Sequence, residues 1–313
     1  MSRHLFRQLW LSAITLFGVA SLVFLIIRLT PGDPARLMLG DLATPEQVVV
    51  LRHQLGLDRP LPEAYASFLV DYAHGNMGQS LLTKRAVFDE VLVRVGPSLQ
   101  LALGAMVFAL IIGLPLGIVA AVRRASPWDY GTMLLATVGT ATPVFFLGIV
   151  FILIFSVGLR WLPAIGVGEP NDPVSLLQHL ILPSVALGLA TAALLARMTR
   201  SGLLDVLGAD FVRTARAKGL DERRVLWVHA LKNAAVPLTT VAALNTGYLV
   251  GSAVITETVF ARPGLGKFLV DAILARDYPV VQGVTFCVAA FLILVNLSTD
   301  LLYSWLDPRI KYA

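Results

Sequence analysis

An all-α membrane protein with six transmembrane helices is the fold class this sequence predicts, and three observations predict it. Apolar residues make up 57% of the 313 residues, the mean hydropathy is +0.76, and only 14% of residues are charged. Soluble domains carry about 25% charged residues, so composition alone places the chain in a bilayer. Six runs approach the ~20 apolar residues needed to cross a bilayer as a helix. The loops between them are also unequal in Lys and Arg, as expected of a multi-pass topology. The net charge of +5 follows from that inequality and does not call for a nucleic-acid partner.

The first run covers residues 9–29. It follows Arg3 and Arg7 as a secretory signal would, but it is longer than the roughly 7–15 residues of a signal core, and no A-x-A cleavage pattern follows, so a retained anchor is expected. The other runs cover residues 98–122, 133–159, 179–196, 236–259 and 280–302. Between the first two lies the one soluble-looking segment, residues 30–97. It opens with Thr30-Pro-Gly-Asp-Pro34, where proline stops the helix. Thr44-Pro45-Glu46-Gln47 then starts a short helix with a capping side chain. At about 68 residues this segment is marginal as an independent domain and is expected to pack on the membrane domain's outer surface.

An even number of spans puts both termini on one side. That side holds Arg3, Arg7, Arg123, Arg124, Arg309, Lys311 and the eight bases of a central loop; the short loops opposite hold only Arg160, Arg262, Lys267 and Arg276. The excess marks the cytoplasmic side, so both termini and the central loop are expected there.

Enzyme signatures are missing. Gly264-Leu-Gly266-Lys267 looks like the end of a phosphate loop, but Ala261 stands where the motif's first glycine belongs and Phe268 where Ser or Thr would bind Mg²⁺. The expectation is a glycine-rich turn and a chain that does not hydrolyse ATP. Neither His-Glu-x-x-His nor Gly-x-Ser-x-Gly occurs. His4, His53, His74, His179 and His229 lack metal-ligand spacing, and the single Cys287 has no internal disulfide partner. Asp300 lies near the end of the sixth run, in a structural role rather than a proton relay. Thr140 and Thr142 flank Pro143, and Asn245 lies mid-span; such groups line a translocation path in some proteins and more often bond a neighbouring helix.

The central loop contradicts its surroundings. Between Arg197 and Lys232 it holds eight bases (Arg197, Arg200, Arg213, Arg216, Lys218, Arg223, Arg224, Lys232) against four acids (Asp205, Asp210, Asp221, Glu222). Arg213-Thr214-Ala215-Arg216-Ala217-Lys218-Gly219 reads as a short helix stopped at glycine, which favours the left-handed cap. Leu220-Asp221-Glu222 begins a second helix with acids suited to its N-terminus, followed by Arg223 and Arg224. This composition fits both a solvated loop and a surface on which a partner docks.

The helix–glycine–helix elbow resembles the cytoplasmic EAA loop of ATP-binding-cassette (ABC) importer permeases. Counted back from Gly219, that pattern's Glu-Ala-Ala falls on Arg213, Thr214 and Ala215, of which only the last matches, and Lys232 stands where its later proline would be. The form found here, Asp210-Phe-Val-Arg-Thr-Ala-Arg-Ala-Lys-Gly-Leu220 followed by His229-Ala-Leu-Lys-Asn-Ala234, is similar to the dipeptide/oligopeptide permease branch of these binding-protein-dependent inner-membrane components. Leu29-Thr-Pro-Gly-Asp-Pro34, Leu55-Gly-Leu-Asp-Arg-Pro60, Gly75-Asn-Met-Gly-Gln-Ser80, Glu257-Thr-Val-Phe-Ala-Arg-Pro-Gly-Leu-Gly266, Arg276-Asp-Tyr-Pro-Val-Val-Gln282 and Leu306-Asp-Pro-Arg-Ile310 extend the resemblance over nearly the whole chain, in order. Its long first extracytoplasmic segment resembles one particular member of that branch's permease pair.

The resemblance implies a type I ABC importer permease fold. Residues 1–29 would form the cytoplasmic tail and first helix, 30–97 the extracytoplasmic segment, 98–303 the permease core with its coupling loop at 197–235, and 304–313 the cytoplasmic tail. It implies a multi-pass protein of the inner (cytoplasmic) membrane that forms a path together with a second homologous permease subunit. An extracytoplasmic substrate-binding protein would deliver peptide, most simply a dipeptide, and two ABC ATPase subunits would hold ATP and Mg²⁺; this chain would bind no cofactor and no metal. Arg213, Thr214, Ala215, Arg216, Ala217, Lys218, Gly219, Asp221, Glu222 and Arg223 would couple to the ATPases, with Ala215 and Gly219 permitting close approach. Oligopeptides, glutathione and nickel complexes are the substrate alternatives within the same family. A secondary transporter should show ionisable or unwound mid-bilayer sites, and an intramembrane enzyme should show a catalytic pair. A membrane receptor or scaffold would not need the elbow.

Overall fold

The computed structural model describes residues 2–29, 33–40 and 43–306. Within them the regular structure is helical apart from an antiparallel bridge between Gln79 and Ala86. The helices are α1 (Ser2–Leu29), α2 (Pro34–Leu39), α3 (Pro45–Gln54), α4 (Leu61–Ala73), α5 (Val87–Val122), α6 (Pro127–Ala141), α7 (Val144–Phe151), α8 (Pro173–Leu207), α9 (Asp210–Ala217), α10 (Glu222–Arg224), α11 (Leu231–Val259), α12 (Leu265–Leu274) and α13 (Tyr278–Leu306). Helix α7 continues as a π-helical turn at Ile152–Gly158, and a second π-helical stretch, Val225–Ala230, joins α10 to α11. Among the described residues five helices are long and apolar enough to cross a membrane, or six where the bent pair Pro127–Ala141 and Val144–Gly158 is counted as one span. The fold is therefore the predicted all-α membrane architecture, with five to six spans.

The third span departs from the sequence expectation. Residues 133–159 read as one apolar run, yet the helix breaks at Thr142 and Pro143, and its halves are bent by 103°. Proline disfavours helical geometry in the residue before it, and Thr142 is extended at φ −85° and ψ 126°. The break is internally satisfied, because the Thr142 backbone N–H and its hydroxyl both donate to the Val138 carbonyl, at 3.0 and 2.7 Å. The fourth run also grows: residues 179–196 become part of the 35-residue α8, about 52 Å long at 1.5 Å per residue. That exceeds a hydrocarbon core of about 30 Å, so α8 carries its end well beyond the bilayer.

The chain forms two compact units. The first is drawn from Met1–Gly96 and Pro263–Leu297. Here Asp33 caps α2 and takes an ion pair from Arg52 of α3 at 2.6 Å, while Thr44 and Gln47 form a full capping box at α3. Helix α1 meets α4 through Phe24, which contacts the rings of Tyr65 and Phe68, and through a 2.6 Å hydrogen bond between the hydroxyls of Ser21 and Tyr65. Asp277, just before α13, is 2% exposed and accepts from the Ser80 hydroxyl at 2.6 Å and from the Leu81 N–H at 3.0 Å. Two of the sequence motifs, far apart in the chain, are thus fastened by one carboxylate. Gln282 fastens α13 to α1 by donating to the Val23 carbonyl at 2.7 Å.

The second unit is drawn mainly from Pro97–Arg262. Its centre is the seam between α5 and α8, where small residues let backbones touch. A Cβ added at Gly188 would lie 2.5 Å from the Ala105 carbonyl oxygen, one at Gly113 2.6 Å from that of Ala192, and one at Gly117 2.5 Å from that of Ala196. Water offers no advantage to separated helices inside lipid, so close van der Waals packing of this kind holds spans together. Charged groups buried here have polar partners. Arg200 of α8 grips Asp129 of α6 with two hydrogen bonds of 2.5 and 2.8 Å. Arg262, 1% exposed, donates to the Pro97 carbonyl at 3.2 Å and to Gln100 at 3.0 Å. Its neighbour Glu257, fully buried, accepts from the Ser98 hydroxyl at 2.5 Å. Burial pushes the Arg262 guanidinium below its usual value, and the nearby Glu257 charge opposes that shift.

Gly188→Ala tests the seam. Because the obstructing atom is backbone, the helices must move apart, at a cost of about 1–3 kcal/mol. The expected outcome is a lowered thermal midpoint of the detergent-solubilised protein, whereas the same change at Gly251, where a Cβ meets nothing within 4 Å, leaves the midpoint unchanged.

Candidate functional site

Helix α8 ends at Leu207 and the chain turns through Gly208 and Ala209 into α9. Helix α9 is strongly two-faced. Val212 and Ala215 are buried against Val225, with Val206, Leu207 and Leu220 packed around them. Phe211, Arg213, Thr214, Arg216, Ala217 and Lys218 are exposed. Gly219 follows at φ +76°, the left-handed region that glycine enters without a Cβ penalty. Its N–H donates to the Arg216 carbonyl at 2.9 Å, and the Leu220 N–H reaches the Ala215 carbonyl at 3.3 Å. These two bonds and the apolar Leu220 contact define a Schellman stop.

Asp221 then caps α10, accepting from the Arg223 N–H at 3.1 Å. The two short helices are clamped by a bidentate pair: Arg216 donates Nε–H to Glu222 Oε1 at 2.7 Å and Nη2–H to Oε2 at 3.2 Å. These hydrogen bonds hold the Glu222 carboxyl below its ordinary 4.5 and raise Arg216 further. Along α9, Arg213 faces Asp210 at 3.3 Å, and the Thr214 hydroxyl donates to the Asp210 carbonyl at 3.0 Å. No ion pair is made by Lys218, Arg223 or Arg224 among the described residues.

The elbow therefore gathers Arg213 through Arg223 on one rigid turn, as the spacing predicted, with three refinements. Ala215 points into the chain's own core, leaving Ala217 as the small exposed side chain. Arg216 and Glu222 are spent on each other. The loop is also shorter than residues 197–235, because α8 runs through Leu207 and α11 begins at Leu231. Arg200 thus leaves the solvated set and pairs with Asp129, a residue that sequence reasoning missed although Ser126-Pro-Trp-Asp129 has capping-box spacing.

The three path candidates are not assembled with the elbow. Thr140 donates to the Ala136 carbonyl at 3.0 Å, Thr142 to that of Val138, and Asn245 to that of Val241 at 2.8 Å. Each of these bonds lies within the residue's own helix or its break. An apolar groove of about 570 Å³ runs beside α11, walled by Leu110, Leu114, Trp227, Leu238 and Thr246 among others, without Asn245. The Asp300 side chain, Thr30 to Gly32 and the motif from Asp307 to Ile310 lie outside the described residues. The Gly264–Lys267 stretch, expected as a glycine-rich turn, is instead the start of α12, with Gly264 at its N-cap.

With this geometry in place, comparison with known proteins defines the class. The family model described as binding-protein-dependent transport system inner membrane component matches residues 113–312, and its N-terminal counterpart matches residues 1–102. The chain belongs to that family of ABC importer permeases. More particularly, it is 43% identical to the di/tripeptide transport system permease protein DppB of Pseudomonas aeruginosa, over 98% of each chain. It is 39% identical to the dipeptide transport system permease protein DppB of Escherichia coli K12, over 100% of this chain and 99% of that one. It is 43% identical to the glutathione transport system permease protein GsiC of the same strain, over 95% of each. Among solved structures, the MetNI methionine ABC transporter in an inward-facing form shares the fold, with TM-score 0.53, 19% identity and coverage of 69% of this chain and 96% of that one.

The clamp has a definite pH sense. Glu222 has a depressed folded value, so the pair is intact above about pH 4.5 and is lost as pH falls through that lower value. Glu222→Gln is expected to lower the protection factors of the Gly219 and Leu220 amides at neutral pH, and to abolish the further loss of protection, relative to the intrinsic rate, that the unaltered protein shows as pH falls below 4.5. Hydrogen exchange followed by mass spectrometry reads both.

Proposed function

We propose that this chain is one of two permease subunits of an ATP-driven peptide importer and that its elbow, Asp210 to Arg224, seats on a cytoplasmic ATPase. The observation that carries the reading is the elbow itself: a rigid, capped and clamped turn, anchored on the end of a helix that overshoots the bilayer, in a chain of this family. In this reading the N- and C-termini are cytoplasmic, and ATP and Mg²⁺ are bound by two partner ATPase subunits rather than by this chain. A second homologous permease completes the path, and an extracytoplasmic binding protein delivers the substrate. ATPase closure displaces the elbow, α8 moves with it, and the spans exchange inward- and outward-open packings.

The peptide assignment is supported by the names of the full-length relatives. A dipeptide is the first expectation, because two of the three relatives compared above are named for dipeptide or di/tripeptide transport. Glutathione is the second reading, favoured by the equal identity to the glutathione permease. Both are short zwitterionic peptides, so one architecture suits either. Uptake of a labelled dipeptide in cells with and without this gene, competed by tripeptide, pentapeptide and glutathione, separates them. Loss of dipeptide uptake on deletion, with weak competition by glutathione, supports the first; unchanged dipeptide uptake with lost glutathione uptake supports the second.

Gly219→Pro tests the elbow. Proline fixes φ near −65° and removes the N–H, whereas Gly219 sits at +76° and uses its N–H. The variant is expected to reach the membrane and assemble, yet to lose most substrate uptake while the ATPases hydrolyse ATP without transport. Normal uptake would sink the coupling role.

A further inference from the structure

One polar cavity lies outside everything described so far. It is about 190 Å³ and is formed where the end of α1 meets the α3–α4 connection, with α13 behind. Its wall carries Arg28, Arg59, Asp71 and Gln282 beside the rings of Phe24 and Phe68. The Leu55-Gly-Leu-Asp-Arg-Pro60 motif supplies one side, and the function has not used that motif. Gly56, at φ +62°, organises it: its carbonyl accepts from Arg28 Nη2 at 3.3 Å, and the Arg59 stem lies 3.9 Å from the place where a Cβ on Gly56 would stand. The two guanidinium groups are therefore brought to the same turn. The Arg28 guanidinium also stacks 3.8 Å over the Phe24 ring, which fixes its plane. Neither arginine has a carboxylate partner among the described residues, and Asp71 is engaged by the Asn76 amide at 3.3 Å.

Two arginines at one turn, neither of them ion-paired to the Asp71 carboxylate in the same wall, are a site for an external anion, since guanidinium forks pair with phosphate in two-point contacts. Position decides the source. Arg28 is in the last turn of the bilayer-length stretch Phe6–Leu29, the depth at which lipid phosphates lie and basic side chains reach toward them. The volume also falls below the ~300–1,000 Å³ of an ordinary small-molecule pocket, which suits a headgroup whose acyl chains stay outside. The exposed apolar flank of α1, with Leu22, Leu25 and Ile26, offers those chains a surface directly beneath the cavity.

We propose that this cavity is a phospholipid site, in which Arg28 and Arg59 hold the headgroup phosphate and Gln282 closes the back wall. The site pins the junction of α1 with the soluble-side helices to the membrane surface. The proposal does not depend on what the protein transports.

The test uses the full chain purified in its transporter complex, stripped of lipid in detergent and titrated with phosphatidylglycerol or inorganic phosphate while native mass spectrometry counts bound lipid. The unaltered complex is expected to retain phosphatidylglycerol with an affinity about tenfold above that of the Arg28→Gln, Arg59→Gln variant, the loss typical of a charge-assisted contact. Arg28→Lys, which keeps the charge, is expected to recover most of the binding. Arg59→Gln alone, at an exposed position, keeps the comparison meaningful if the double variant fails to assemble. Equal lipid retention by all variants would overturn the proposal. So would displacement of the lipid by inorganic phosphate at equal concentration, which would assign the cavity to a free anion.

Discussion

No water is available in the hydrocarbon core to take up a broken backbone hydrogen bond, and this chain is shaped around that fact. Each unsatisfied N–H or C=O there costs several kcal/mol, so the spans are helices and the break in the third span is satisfied locally. The sharpest case is the third span, where Pro143 removes a donor and the helix bends by 103°. Thr142 then sends both its backbone and its side-chain donor to a single carbonyl of the preceding turn. Thr140, Thr246 and Asn245 likewise return their donors to their own helices. These four residues serve the backbone of their own helices.

The same constraint governs charge. Asp129 and Arg200 are taken out of water as a bidentate pair, and Arg262 is surrounded by the Pro97 carbonyl and Gln100, with Glu257 bonded to Ser98 close by. Pairs of this kind are weak sources of net stability but costly to break, because removing one partner strands the other. Their value here is positional. Asp129 sits in the first turn of α6, and Arg200 lies near the far end of α8, so the pair fixes how α8 leaves the glycine seam. The seam sets the distance between α5 and α8, the ion pair sets the direction of the overshoot, and the elbow is mounted on what results.

Much of this was readable in the sequence, and the rest failed for identifiable reasons. Six apolar runs gave the spans because length and composition are local signals. The elbow was readable down to the glycine stop, since a left-handed cap and an acidic N-terminus are also local. The Thr44 capping box was found for the same reason. The bend at Pro143 was hidden because an apolar run averages over a break that leaves composition unchanged. The Asp277–Ser80 contact, the Arg200–Asp129 pair and the inward turn of Ala215 depend on residues brought together by tertiary packing, which no periodicity encodes. Arg200 shows the cost of counting charge by position, since a base at the end of an apolar run reads as solvated until the helix is seen to continue past it.

That correction changes what the elbow can offer a partner. Of the bases that the sequence assigned to the cytoplasmic loop, Arg200 is committed to Asp129, Arg216 to Glu222, and Arg213 faces Asp210. Of the five left over, Arg197 and Lys232 lie on α8 and α11, and Lys218, Arg223 and Arg224 cluster beside the glycine stop. At the other end of α9, Phe211 is 46% exposed, an aromatic anchor of the kind that dominates binding energy at interfaces. On the proposed reading the docking surface therefore has two parts with separate jobs. Exposed charge governs steering and partner choice more than affinity, so the bases near Gly219 would orient the elbow, and burial of Phe211 would hold it. Such a division suits a joint that must transmit force through a cycle of closing and opening. The clamp and the Schellman stop keep the lever stiff, while its grip rests on a side chain that needs no acid partner to remain engaged.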